Sequence, residues 1–70
     1  MDIKKKFGQK IKDLRLARGW SQEKLAQKAD LDRTYITGIE TGKRNVSIVV
    51  IEKLGIALNE KIIELLNFNN

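Results

Sequence analysis

The sequence predicts an all-α fold, a compact arrangement of five short helices. Three observations carry this reading. Apolar residues recur at three- and four-residue steps, and no stretch alternates as a strand would. Proline is absent, which suits a mostly helical chain with short connections. Ser21, Asp32 and Ser47 each stand just before a helical run, where a short side-chain oxygen can accept from the free N–H groups of a helix start. Seventy residues allow one small domain, residues 1–70, with a modest core.

Taken in order, the first helix spans residues 2–18. Ile3, Phe7, Ile11, Leu14 and Ala17 line one face, while Lys4, Lys5, Lys6, Lys10, Lys12, Arg15 and Arg18 occupy the rest. Gly19 supplies a left-handed stop. Ser21 caps a second helix over 22–29, with Glu23 near its positive end and Leu25, Ala26 and Ala29 inside. Asp30 and Leu31 make a turn, and Asp32 caps a third helix over 33–41 anchored by Ile36 and Ile39. Gly42 opens a loop. Ser47 caps a fourth helix over 48–58, with Ile48, Ile51, Leu54, Ala57 and Leu58 inward, and Asn59 takes the left-handed conformation that ends it. A last short helix carries Ile62, Leu65 and Leu66, after which residues 67–70 are expected to fray.

Composition removes several function classes. The chain has no cysteine and no histidine, so disulfides, thiolate metal sites, and the commonest general base and zinc ligand are all missing. The carboxylates sit at caps or are scattered, so neither catalysis, a cofactor nor a metal site is expected. No apolar run reaches the length of a membrane span, and no secretory pattern follows "MDIKKKF", so a cytoplasmic location is expected. The net charge of +5 is unevenly placed. Residues 1–44 hold twelve Lys/Arg against six Asp/Glu, and residues 45–70 hold two against three. The first part suits a polyanion, the second something else.

The second and third helices are joined by a turn of three or four residues. Ala26 is small where they would cross, and Leu31 can fill the gap between them, which is the helix-turn-helix pattern. On a helical wheel Ile36, Ile39 and Glu40 share the inner face of the third helix. Thr34, Thr37, Gly38 and Thr41 fall on or near the opposite one. Threonine and glycine are weak helix formers, but small residues would let the backbone lie deep in a DNA major groove. Arg33 can pair bidentately with guanine, and Thr34 and Thr37 offer a hydroxyl and a methyl to base edges. Tyr35 has two readings, a contact to DNA or a ring covering the edge of the core. Lys43, Arg44 and Asn45 follow as a turn suited to clamping the sugar-phosphate backbone, and Gln22 can add a phosphate contact.

The segment "LRLARGWSQEKLAQKADLDRTYITGIETGKRNVS" resembles the lambda-repressor-like (Cro/repressor-type) helix-turn-helix domains. Within them, "LDRTYI", "GIE" and "RNVS" look most like the controller proteins of bacterial restriction–modification systems. The resemblance implies a five-helix domain that binds double-stranded DNA as a symmetric dimer on a pseudo-palindromic operator. It implies that Arg33, Thr34 and Tyr35 read, and that Gln22, Lys43, Arg44 and Asn45 hold the backbone. It also implies that Arg15 pairs with Glu40 between the first and third helices. Two departures stand out: Asp30 where the turn usually has glycine, and Glu60-Lys61 where an apolar residue and a capping serine are common.

The fourth and fifth helices carry more apolar residues than one core needs. Val49, Val50, Ile56, Ile63 and Phe68 fall outside the inner positions, and Val49, Ile56 and Ile63 make a candidate twofold interface. Three functions follow. The first is a restriction–modification controller acting on its own operator and timing endonuclease expression, with RNA polymerase as a further partner if it activates. The second is a phage-type repressor or an antitoxin DNA-binding protein. The third is a protein-interaction module with nonspecific polyanion binding, which would show no preference among DNA sequences.

Overall fold

The computed structural model describes residues 2–68. Five helices follow in order: α1 (Ile3–Ala17), α2 (Gln22–Ala29), α3 (Arg33–Glu40), α4 (Ile48–Leu58) and α5 (Ile62–Leu65). There is no strand among the described residues. Four helices start on a side-chain cap. Asp2 accepts from the N–H groups of Lys4 and Lys5, Ser21 from Lys24, Asp32 from Thr34, and Ser47 from Val50. Asp2 is thus the cap of α1, and Arg18 its C-cap rather than its last residue. Thr41 likewise caps α3 instead of extending it. Helix α5 begins at Lys61 with no side-chain cap and lasts four residues.

Asp32 also accepts from the Thr34 hydroxyl at 2.7 Å. These hydrogen bonds to its carboxylate, side chain first and backbone second, lower its pKa below the ordinary aspartate value. The cap is therefore charged at neutral pH, and its contribution is lost as pH falls through that lowered value. Asp30 and Asn59 close α2 and α4 in the left-handed region, at φ 54° and 55°.

The core is built from Phe7 and Ile11 of α1, Leu25, Ala26 and Ala29 of α2, Ile36 and Ile39 of α3, Leu54 and Leu58 of α4, and Leu65 of α5. Several inner positions proposed from periodicity differ. Ile3 and Ala17 are exposed because they lie in the end turns of α1. Ile48 is exposed as the first residue of α4, and Ile62 and Leu66 are partly so. Conversely, Val50 and Phe68 pack against the core from its edge. Of the segment expected to fray, Phe68 is therefore seated, and residues 69 and 70 lie outside the described part.

Two cations of α1 that periodicity assigned to solvent hold the distal helices. Arg18 donates through Nη1 to the Leu14 carbonyl at 2.8 Å. Through Nη2 it donates to the Leu58 carbonyl at 2.6 Å and to Glu60 Oε2 at 2.9 Å. Lys10 Nζ pairs with Glu64 Oε1 at 3.3 Å. Glu60, a departure from the family pattern, is thus the carboxylate that ties the α4–α5 corner to α1.

Helices α1 and α3 pack backbone to backbone at Gly8. Gly8 is buried there, and a β-carbon on it would run into the Ile39 carbonyl oxygen and come within 3.1 Å of Glu40 Cα. Only a residue without a side chain lets α1 rest directly on the backbone of α3. Gly8→Ala should therefore destabilise the fold by about 1–3 kcal/mol, the usual cost of overpacking. This holds although alanine is the better helix former; a urea midpoint equal to wild type would refute it.

Candidate nucleic-acid interface

The interface is built on a buried ion pair. Arg15 Nε donates to Glu40 Oε2 at 2.7 Å, and Nη2 donates to Oε1 at 2.9 Å. The two side chains are 8% and 2% exposed. The hydrogen bond Arg15 donates to Glu40 raises the Arg15 pKa above its ordinary value, against the opposing effect of burial. The third arm of the guanidinium, Nη1, donates to the Trp20 carbonyl at 2.7 Å, just ahead of α2. Glu40 Oε1 also accepts from Gln22 Nε2 at 3.1 Å, and Gln22 Oε1 accepts from the Thr37 hydroxyl at 2.7 Å. Arg15, Glu40, Gln22 and Thr37 thus form one chain of hydrogen bonds running from α1 through α3 to α2.

This network includes two of the residues singled out in the sequence. Gln22 and Thr37 were expected to touch DNA, as a backbone contact and a base reader. Both are half-buried, and both ends of the Gln22 amide are engaged inside the motif. The Thr37 hydroxyl also reaches the Arg33 carbonyl at 3.2 Å. Their polar atoms brace α3 against α2, because a part-buried amide or hydroxyl is costly to leave unpaired.

What remains outward at the start of α3 is Arg33 and Thr34, both exposed. Thr34 donates its hydroxyl to the Asp32 cap, which leaves the oxygen able to accept and the methyl available for apolar contact. Lys43, Arg44 and Asn45 are exposed in the loop beyond α3.

Of the two readings of Tyr35, the structure shows the ring at the core edge. The Arg44 guanidinium lies over that ring at 4.8 Å from the centroid. Gly38 makes this possible, since a β-carbon there would fall 2.6 Å from Arg44 Cγ. The low outer profile expected of Gly38 is therefore filled by Arg44, which crosses the helix at that point. The Gly38 carbonyl accepts from the N–H groups of Lys43 at 2.9 Å and Arg44 at 3.2 Å. The Thr41 hydroxyl bonds back to the Thr37 carbonyl at 2.9 Å. The basic loop is folded onto α3 rather than hanging from it. A mid-helix glycine was the visible signal, but the residue that fills its space is six positions away and reached only through the fold.

Two helices set across a tight turn, with an outward basic and hydroxyl-bearing end and a basic loop, define a helix-turn-helix DNA-binding domain. The helix-turn-helix family profile matches residues 11–65. The control protein C.MunI from Mycoplasma is 55% identical over 64 residues, spanning 84% of this chain and 86% of that one. The crystal structure of the restriction–modification controller protein C.AhdI from Aeromonas hydrophila superposes with a TM-score of 0.87 at 52% identity, covering 89% of this chain and 94% of that one. The controller protein C.Esp1396I, solved as a tetramer in complex with its natural 35 base-pair operator, gives a TM-score of 0.84 at 39% identity, over 94% of this chain and 91% of that one. The chain belongs to the helix-turn-helix family and, within it, to the restriction–modification controller proteins. It is a DNA-binding transcription regulator and not an enzyme.

Gly38→Ala separates the two demands on α3. It adds helix propensity of up to about 1 kcal/mol while displacing Arg44 from its seat. We expect an unchanged or slightly raised melting temperature together with weaker DNA binding. A variant that binds DNA as tightly as wild type would show that the Arg44 placement is irrelevant to the interface.

Proposed function

We propose that the chain acts as a sequence-specific homodimer on a pseudo-palindromic operator at its own promoter. In that role it times endonuclease expression against methyltransferase expression in the bacterial cytoplasm. Residues 1–70 serve as one domain with a DNA side and a dimer side. Arg33 and Thr34 read base edges, with Tyr35 supporting them and carrying Arg44. Lys43, Arg44 and Asn45 hold the sugar-phosphate backbone. Gln22 and Thr37 position α3 through the network to Glu40 and Arg15.

The observation that carries this reading is the pairing of two unlike exposed surfaces. Arg33, Thr34, Lys43, Arg44 and Asn45 are exposed around α3. On the α4–α5 side Val49 is 57% exposed, and Ile56 and Ile63 are each 75% exposed, with Ile48 beside Val49 at 69%. An apolar cluster of this kind supports a self-complementary interface. Such a dimer would set its two recognition helices about 34–36 Å apart, one turn of DNA. Activation of transcription would require a further contact with RNA polymerase.

Selection of bound sites from random DNA tests the whole reading, since it must return a palindromic consensus. Arg33→Ala should relax preference at one base position and cost about 1–3 kcal/mol in binding to that consensus. A loss that is equal on every sequence would assign Arg33 to the backbone instead. Ile56→Asp places a charge in the proposed interface. It should yield a monomer by sedimentation at micromolar concentration, with DNA affinity reduced in parallel. An intact dimer with unaltered affinity would move the interface elsewhere.

A further inference from the structure

Three cations of α1 and its C-cap are used internally: Lys10 pairs with Glu64, Arg15 with Glu40, and the C-cap Arg18 with Glu60. Lys4 and Lys5, in the first turn, are exposed and have no ion pair among the described residues. Asp2, beside them, accepts from their own N–H groups as the cap of α1.

That first turn lies directly against the basic loop. Gly42 is buried beneath it at φ 76°, and a β-carbon on Gly42 would sit 2.5 Å from Lys5 Cγ and 3.0 Å from Lys5 Cα. The loop backbone and the Lys5 stem are therefore in contact, with no room for a side chain between them. Lys4 shares an open cleft of about 170 Å³ with Arg44 and Asn45, floored by Phe7, Val46 and Ile51. The first turn of α1 and the loop present one surface, in contact at Gly42.

We propose that Lys4 and Lys5 are further DNA-backbone contacts, extending the clamp of Lys43, Arg44 and Asn45 onto neighbouring phosphates. This rests on the reading of α3 and its loop as the DNA-binding face. The two ammonium groups rise from a helical turn packed beside that loop, so only the side chains themselves must be ordered for them to gain Coulomb attraction to phosphate. They carry no base-specific geometry, so their effect is on affinity, salt dependence and register, not on sequence choice. The Gly42 contact also explains why the loop needs glycine at that position: a side chain would push α1 and the clamp apart.

The test is the salt dependence of binding to a duplex recovered by random-site selection. Lys4→Gln and Lys5→Gln keep most of the aliphatic stem and the helix propensity, and melting curves confirm that each variant folds. Each should shallow the slope of log affinity against log salt by about one unit, and the double variant by about two. The losses should be equal on consensus and nonconsensus duplexes. Lys61→Gln removes the same charge from the α4–α5 side and should leave the slope unchanged. If Lys61→Gln shallows it as much as Lys4→Gln does, the effect is one of net charge and the proposal fails. If both α1 variants keep the wild-type slope while Arg44→Ala shallows it, the proposal fails and the clamp reading stands. If Arg44→Ala also leaves the slope unchanged, both fall together.

Discussion

The buried pair of Arg15 and Glu40 is the constraint on which the motif depends. One guanidinium reaches α3 through two hydrogen bonds and the entrance of α2 through the Trp20 carbonyl. All three helices of the DNA-binding unit therefore meet at a single planar group. Arginine suits this position because its fork of donors is fixed in a plane and always charged, whereas a lysine could satisfy only a point contact. Burying two charges carries a desolvation cost of several kcal/mol per ion, so the pair is weak evidence for net stability. Its geometry supplies orientation. Glu40 is the last residue of α3, and fixing it sets the axis along which Arg33 and Thr34 project at the other end.

The same logic extends outward through Gln22 and Thr37. Their hydrogen bonds carry the restraint from the C-terminal end of α3 to its middle, and the Thr37 hydroxyl reaches the Arg33 carbonyl. Gln22 and Thr37, singled out by chemistry as DNA ligands, also hydrogen-bond inside the motif. On the far side of α3, Gly38 gives its carbonyl to the loop and its missing side chain to Arg44. Helix α3 and the basic loop are thus packed together as one surface. Preorganisation of this sort reduces the ordering cost of binding, which for a loop of long cations would otherwise be substantial.

The parts of this structure legible in the sequence are those governed by local chemistry. Ser21, Asp32 and Ser47 cap the helices they precede, and Asp30 and Asn59 take the left-handed conformation. Glycine is not required at the turn after α2, because aspartate tolerates that region. Periodicity found Phe7, Ile11, Leu54 and Leu58 but also counted Ile3 and Ile48. It reports which way a residue points around an axis and not whether the neighbouring helix extends that far. The close approach at Gly8, the seating of Arg44 over Gly38 and the internal use of Arg18 were hidden for a related reason. A close approach or a carbonyl forty residues distant is a property of the tertiary arrangement, and a mid-helix glycine or a basic side chain looks the same without it.

The apolar residues left outside the core bear on how such a regulator would respond to its own concentration. Ten buried hydrophobic residues among those described make a small core for a helical chain of this length, and Val49, Ile56 and Ile63 add nothing to it as they stand. If they close a twofold interface, as proposed above, assembly stabilises the fold by mass action. Operator occupancy then rises more steeply than in proportion to chain concentration at levels where free monomer predominates, because the binding species forms in proportion to the square of the monomer concentration. A weak interface is an advantage under that arrangement, since a permanently assembled dimer would lose the threshold. The exposure of these residues is thus consistent with a device that stays nearly silent at low copy number and acts only after the chain has accumulated.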